Sequence, residues 1–211
     1  MAFDLEEQEK IDALKAWWKA HGNTVLLALA VFAATVLGVQ GWRSYQKKQA
    51  QQASVMFEAV QNLAKSGDSR KLRDAAGQLM ERYPRTPYAV RAALLAARAN
   101  YEAGDAKSAK AQLQWVIEHA TEEEARDMAR LRLAAVLADE KLYPEALKRL
   151  EEKHGASFDG LYADLRGDIL AAQGKTAEAR AAYQSAIDKM DKKSAYRRLV
   201  QMKLDALGGQ G

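Results

Sequence analysis

The side chains able to do acid–base or metal chemistry in this chain are few and scattered. The three histidines, His21, His119 and His154, are far apart, and none has a second histidine or a carboxylate pair at metal-ligand spacing. Each is therefore expected to be a surface or packing residue. An enzyme would have to assemble His119 or His154 with a distant carboxylate in the folded state. No cysteine is present, which removes thiol nucleophiles, thiolate metal sites and disulfides together. Glycine-rich phosphate loops, G-x-S-x-G elbows and H-E-x-x-H helices are also missing. The acidic run Glu122, Glu123 and Glu124 has a simpler reading, as the first turn of a helix whose dipole it complements. No catalytic, cofactor or metal site is expected, and binding becomes the function to explain.

The elements that would carry such binding are helical. The 211 residues are 48% apolar and 28% charged, with only three prolines and few β-branched residues, so the fold class is all-α. The net charge of +4 is uneven, because residues 1–21 hold five acids against three lysines and stand at −2, leaving +6 for the rest. Interleaved over a long helical surface, +6 is a solvated face and not a nucleic-acid stripe. The nearest basic cluster, Lys192, Lys193, Arg197 and Arg198, is read in the same way.

Asn23–Trp42 contains no charged residue in 20 positions. At about 1.5 Å per residue it matches the thickness of a bilayer core. Trp17, Trp18 and Trp42 stand at its ends, and Lys15, Lys19, Arg43 and Lys47 bracket it. The leader is long and acidic and no good small-x-small site follows the span, so a retained transmembrane helix is expected. Ahead of it, Ile11, Leu14, Trp17 and Trp18 share one face of an amphipathic juxtamembrane helix. Within the span Ala30, Ala34 and Gly38 recur every fourth residue, a stripe suited to packing against another transmembrane helix or a second copy. The expected organisation is a leader over 1–22, a span over 23–42 and a repeat domain over 43–211. Lysines 10, 15 and 19 before the span balance Arg43, Lys47 and Lys48 after it, so charge leaves both orientations open.

Three stretches of the repeat domain, 97–117, 134–152 and 167–187, share a helix, a tight turn and a second helix. Their alignment places Ala109, Ala146 and Ala179 in equivalent positions, 37 and 33 residues apart, close to the 34-residue tetratricopeptide period. Ala97, Ala134 and Gly167 in the first helices, with those alanines in the second, are expected where the two helices of a hairpin approach. Leu113, Leu150 and Tyr183 then fill the grooves between hairpins. Gly104 and Gly174 suit the left-handed residue that ends a first helix, while the middle copy departs with Lys141 and starts its next helix at Tyr143-Pro144. A divergent hairpin is expected over Ala50–Tyr83 with its turn at Gly67-Asp68. Thr86-Pro87 reads as a cap and first-turn proline, and Thr121 with Glu124 as a capping box. The last helix carries Tyr196, Val200, Leu204 and Leu207 and stops at Gly208-Gly209.

The leader, the Gly41-Trp42-Arg43-x-Tyr45 exit from the span and the segment Tyr83-Pro84-x-Thr86-x-Tyr88-Ala89 together resemble the bacterial YfgM family over essentially the whole chain. That resemblance implies an ancillary subunit of the SecYEG protein-translocation channel in the inner membrane, with a cytoplasmic N-terminus and a periplasmic tetratricopeptide-like α-solenoid. It further implies partnership with the membrane-anchored chaperone PpiD and help to newly translocated proteins. The reading left open by the charge tie is an adaptor of the same build whose repeat domain recruits a soluble partner in the cytoplasm.

Overall fold

The computed structural model describes the backbone of residues 2–208 and the side chains of residues 9–208. Gly209, half of the expected helix stop, lies outside the described residues. Nine α-helices and one 3-10 turn account for the described chain, with no strand among the described residues. Contacts divide it into two units, Met1–Gln49 and Ala50–Gly211.

The first unit is helical from Ala2 onward, within α1 (Ala2–Ser66). Neither proline nor a glycine pair interrupts it, so its hydrogen-bond ladder passes both ends of the apolar stretch without a break. Its most apolar 18-residue window is only 6% buried. Leu26, Leu27, Leu29, Val31, Phe32, Leu37 and Val39 are all exposed, and the Thr35 hydroxyl in the middle of the span donates to the Val31 carbonyl at 2.8 Å. An apolar cylinder whose backbone bonds, and the mid-span Thr35 hydroxyl, are satisfied within the helix is what a hydrocarbon environment requires.

The second unit is a stack of hairpins. The end of α1 from Ala50 pairs with α2 (Ser69–Arg82). The hairpins α3 (Pro87–Glu102) with α4 (Ala106–His119), α5 (Glu123–Asp139) with α6 (Tyr143–Leu150) and α7 (Asp159–Ala172) with α8 (Thr176–Lys189) follow, and α9 (Ala195–Ala206) closes the series. Each helix packs on the next, and first helices also touch across hairpins, α3 on α5 and α5 on α7. That nearest-neighbour pattern defines a solenoid. Its core is a chain of small clusters, largely of alanine: Ala89, Ala92 and Ala96 on Leu72 and Leu79, then Ala93 and Ala129 on Val116, then Ala134 and Ala146 on Ile169.

The turns explain how a degenerate repeat keeps the same shape. After α3 the amide of Asp105 bonds the Asn100 carbonyl at 2.8 Å and that of Gly104 bonds Tyr101 at 2.9 Å, with Gly104 at φ 81°. Gly174 sits in the equivalent Schellman turn after α7. The middle hairpin makes the same pair of bonds, Leu142 to Leu137 and Lys141 to Ala138, with Lys141 itself at φ 62°. A side chain in the left-handed region costs about 1 kcal/mol. Lys141→Gly is therefore expected to raise stability by about 1 kcal/mol in urea denaturation, less any gain in unfolded-chain entropy.

Thr86 caps α3 through the Ala89 amide, with Pro87 in the first turn, and Asp68 caps α2 through Lys71. The expected capping box of Thr121 with Glu124 does not form. Helix α5 begins one residue later than the box requires, with Glu122 at the cap and no side-chain acceptor there. Burial of Ala120 draws the connection into the core and leaves Ala120 and Glu122 extended, so Thr121 falls outside the cap position. Glu123 and Glu124 still occupy the first turn, where they complement the dipole.

Candidate protein-docking site

Proline fixes the bend before α3, and the buried Ala120 fixes the approach to α5. Between them the first turns of these two helices stand apart and open a groove of about 290 Å³. Val90 and Leu94 of α3, Ala125 and Met128 of α5, and Phe158 from the 3-10 turn Ala156–Phe158 form its apolar floor. Arg85 and Arg91 line one side; Glu122 and Glu124 line the other. The α5 amides at the rim have no side-chain cap, so they remain available to carbonyl or carboxylate oxygens. An apolar floor, opposed charges and uncapped amides can hold an extended peptide segment.

The histidines do other work. His119 lines the groove, but its ring stacks on Trp115 at 4.4 Å and its Nδ1 lies 2.9 Å from the Trp115 carbonyl. His154 does meet an acid, with Nε2 3.2 Å from Asp159, yet its ring stacks on Tyr162 at 3.8 Å and its other nitrogen faces the Glu152 carbonyl. Asp159 also faces Lys189 at 3.5 Å. The pair pins the α6–α7 connection and presents no nucleophile to a cavity. Among the residues described, no cluster of three or more metal-ligating side chains forms. His21 stacks on Trp17 in the first unit.

Two buried carboxylates hold the repeats together. Asp127, 1% exposed, accepts from Arg130 at 2.7 Å and from the Gly155 amide at 2.9 Å, while Tyr162 donates to its carbonyl. Asp164, 2% exposed, accepts from Lys203 at 2.9 Å and from the Tyr196 hydroxyl at 2.7 Å. Lys203 also reaches Asp168 at 2.8 Å, which in turn accepts from the Tyr183 hydroxyl. These groups fasten α9 to α7 and α8 and are positioning elements, not reacting ones.

The small positions lie as follows. Ala97, Ala109, Ala134, Ala146 and Ala179 are buried between helices, and Gly167 lies against the Tyr183 ring. Gly104 and Gly174 occupy their turns. Leu113, Leu150 and Tyr183 are buried. Ala30, Ala34 and Gly38 are exposed, and a Cβ on Gly38 would meet nothing within 4 Å. Arg197 of the basic cluster donates to the Ile187 carbonyl at 3.1 Å, a structural role at the end of α8. The groove floor has no local signal of its own: Val90, Leu94 and Met128 look in sequence like any core positions.

Comparison with known proteins agrees with this architecture. Residues 15–209 match the tetratricopeptide repeat-like domain family, a stretch that includes the apolar span as well as the hairpins. A Neisseria gonorrhoeae protein named ancillary SecYEG translocon subunit is 35% identical, over 98% of this chain and 100% of its own length. Proteins of the same name from Haemophilus influenzae and Escherichia coli are 30% and 26% identical, over 88% and 95% of this chain and 91% and 96% of theirs. Because the likeness runs through anchor and repeats alike, the chain belongs to the YfgM family of membrane-anchored, tetratricopeptide-like proteins.

Proposed function

We propose that this protein is an adaptor of the SecYEG protein-translocation channel, anchored in the inner membrane by its single apolar span. Its repeat domain lies in the periplasm, where it binds the membrane-anchored chaperone PpiD and brings it to newly translocated chains. The observation that carries this reading is the full-length likeness to three proteins named as ancillary translocon subunits. An exposed span, a solenoid with an open groove and two histidines committed to packing support an adaptor over an enzyme. The groove between α3 and α5 takes an extended partner segment, with apolar side chains on Val90, Leu94 and Met128. The stripe Ala30, Ala34 and Gly38 faces a helix of the channel or of the chaperone.

The test is co-purification from membranes in mild detergent. Wild type is expected to recover channel and chaperone. Met128→Asp, which places a charge on the groove floor, is expected to lower chaperone recovery about tenfold, the equivalent of 1.4 kcal/mol, while channel recovery stays. Loss of neither partner would remove the groove from the reading. Because the chain has no cysteine, Lys175→Cys on an exposed turn reports the side of the membrane through an impermeant thiol reagent. Protection until lysis would place the domain in the cytoplasm and favour recruitment of a soluble partner there.

A further inference from the structure

We propose that α9 is a self-association surface, through which two copies of this chain pair in antiparallel fashion about a two-fold axis. The inner stripe of α9, with Val200, Leu204 and Leu207, packs on the core, and Lys203 and Tyr196 reach the buried Asp164. A second apolar stripe lies on its outer side: Ala195, Leu199, Met202 and Ala206 fall within about 60° of one another at 100° per residue. All four are exposed, Leu199 by 42% and Met202 by 60%. Arg198, Gln201 and Asp205 make the neighbouring exposed surface of α9 polar, so the four apolar residues form a bounded patch on it.

The occupant follows from the order of the stripe. Small, large, large, small at spacings of four, three and four reads the same in both directions. An antiparallel copy then sets Leu199 against the partner's Met202 and Ala195 against the partner's Ala206. The alanines let the helix axes approach, and the larger side chains fill the middle. Charge agrees with this register. Arg198 and Asp205 share one edge of the stripe, and antiparallel packing brings like edges together, so Arg198 meets the partner's Asp205 twice over. Arg198 is exposed and has no ion pair among the described residues, and among them the Asp205 carboxylate accepts from Gln201 on its own helix alone. The contact is isologous and closes as a dimer.

The experiment uses the full chain in native membranes under mild oxidation. Ala195→Cys combined with Ala206→Cys is expected to give a disulfide-linked dimer, while each single substitution stays monomeric. In the proposed register two copies of one such position are about 16 Å apart, beyond the roughly 7 Å a disulfide tolerates, so the double variant should form about tenfold more covalent dimer than either single one. Adding Met202→Asp should remove the cross-link. All these positions are exposed, so an unchanged circular-dichroism melt is expected for each variant. Absence of dimer from the double variant, or equal cross-linking by a single one, overturns the proposal. Shielding of Leu199→Cys by phosphatidylglycerol vesicles without any dimer would also overturn it, in favour of a lipid-facing helix with Lys192 and Lys193. None of these outcomes depends on the translocon reading.

Discussion

Lys203→Met is expected to destabilise the repeat domain by about 3 kcal/mol, because it strands a buried carboxylate. Asp164 is 2% exposed and, among the described residues, would keep the Tyr196 hydroxyl alone, while Asp168 would lose its cation. The loss should appear in urea denaturation as a lower midpoint, and the double variant with Asp164→Asn should recover much of it, since the stranded charge is gone. The pair also sets an alkaline limit. Burial by itself lowers the Lys203 pKa, but hydrogen bonds to Asp168 and Asp164 outweigh it and leave the ammonium above its ordinary value. A cation whose pKa is higher folded than unfolded adds stability that is complete below about pH 10.4 and is lost as pH rises through the folded value. The phenols of Tyr183 and Tyr196, raised mainly by burial, push the same way, because the unfolded chain ionises them first. Wild type should therefore lose stability above about pH 10, and Lys203→Met should lose less over that range. Equal alkaline slopes would show that the lysine contributes nothing to the lock.

Gly167→Ala is expected to cost about 2 kcal/mol, although alanine is the better helix former by about 1 kcal/mol. Gly167 lies inside α7, and a Cβ there would sit 2.5 Å from two ring carbons of Tyr183. The ring cannot swing away freely: it is 3% exposed and its hydroxyl holds Asp168 at 2.8 Å. Gly160 offers a milder case: its Cβ would meet Met190 Cγ at 2.6 Å and the Ala186 carbonyl oxygen at 3.3 Å, and the half-buried Met190 side chain yields more readily than a buried, hydrogen-bonded ring. Gly160→Ala should cost less, and Gly167→Ala combined with Tyr183→Leu should be more stable than Gly167→Ala alone. A neutral Gly167→Ala would mean that α7 and α8 can separate without penalty.

Repeat spacing and turn chemistry make the hairpins legible in the sequence, since each hairpin is a local unit whose small residues and glycines recur at fixed distances. The same locality explains the error at Thr121. A capping box is a four-residue pattern, but burial of Ala120 decided where α5 begins, and that burial depends on a neighbouring hairpin. Lys141 carries the opposite lesson, because its residue type argues against a Schellman turn that the flanking helices nonetheless impose.

By itself the sequence determined that the chain is all-helical, that an uncharged stretch long enough to cross a bilayer precedes the repeats, and that no local motif supplies catalysis. These properties depend on composition and short periodicities, which act within a few turns of helix. Only the tertiary structure decided that Val90, Leu94, Met128 and Phe158 share one groove, that His119 and His154 are committed to stacking, and that Asp164 and Lys203 meet across 39 residues. It also left one stripe of α9 bare while burying the other. Such pairings depend on how successive hairpins rotate against one another, and that rotation is set by the summed packing of many alanines rather than by any single residue.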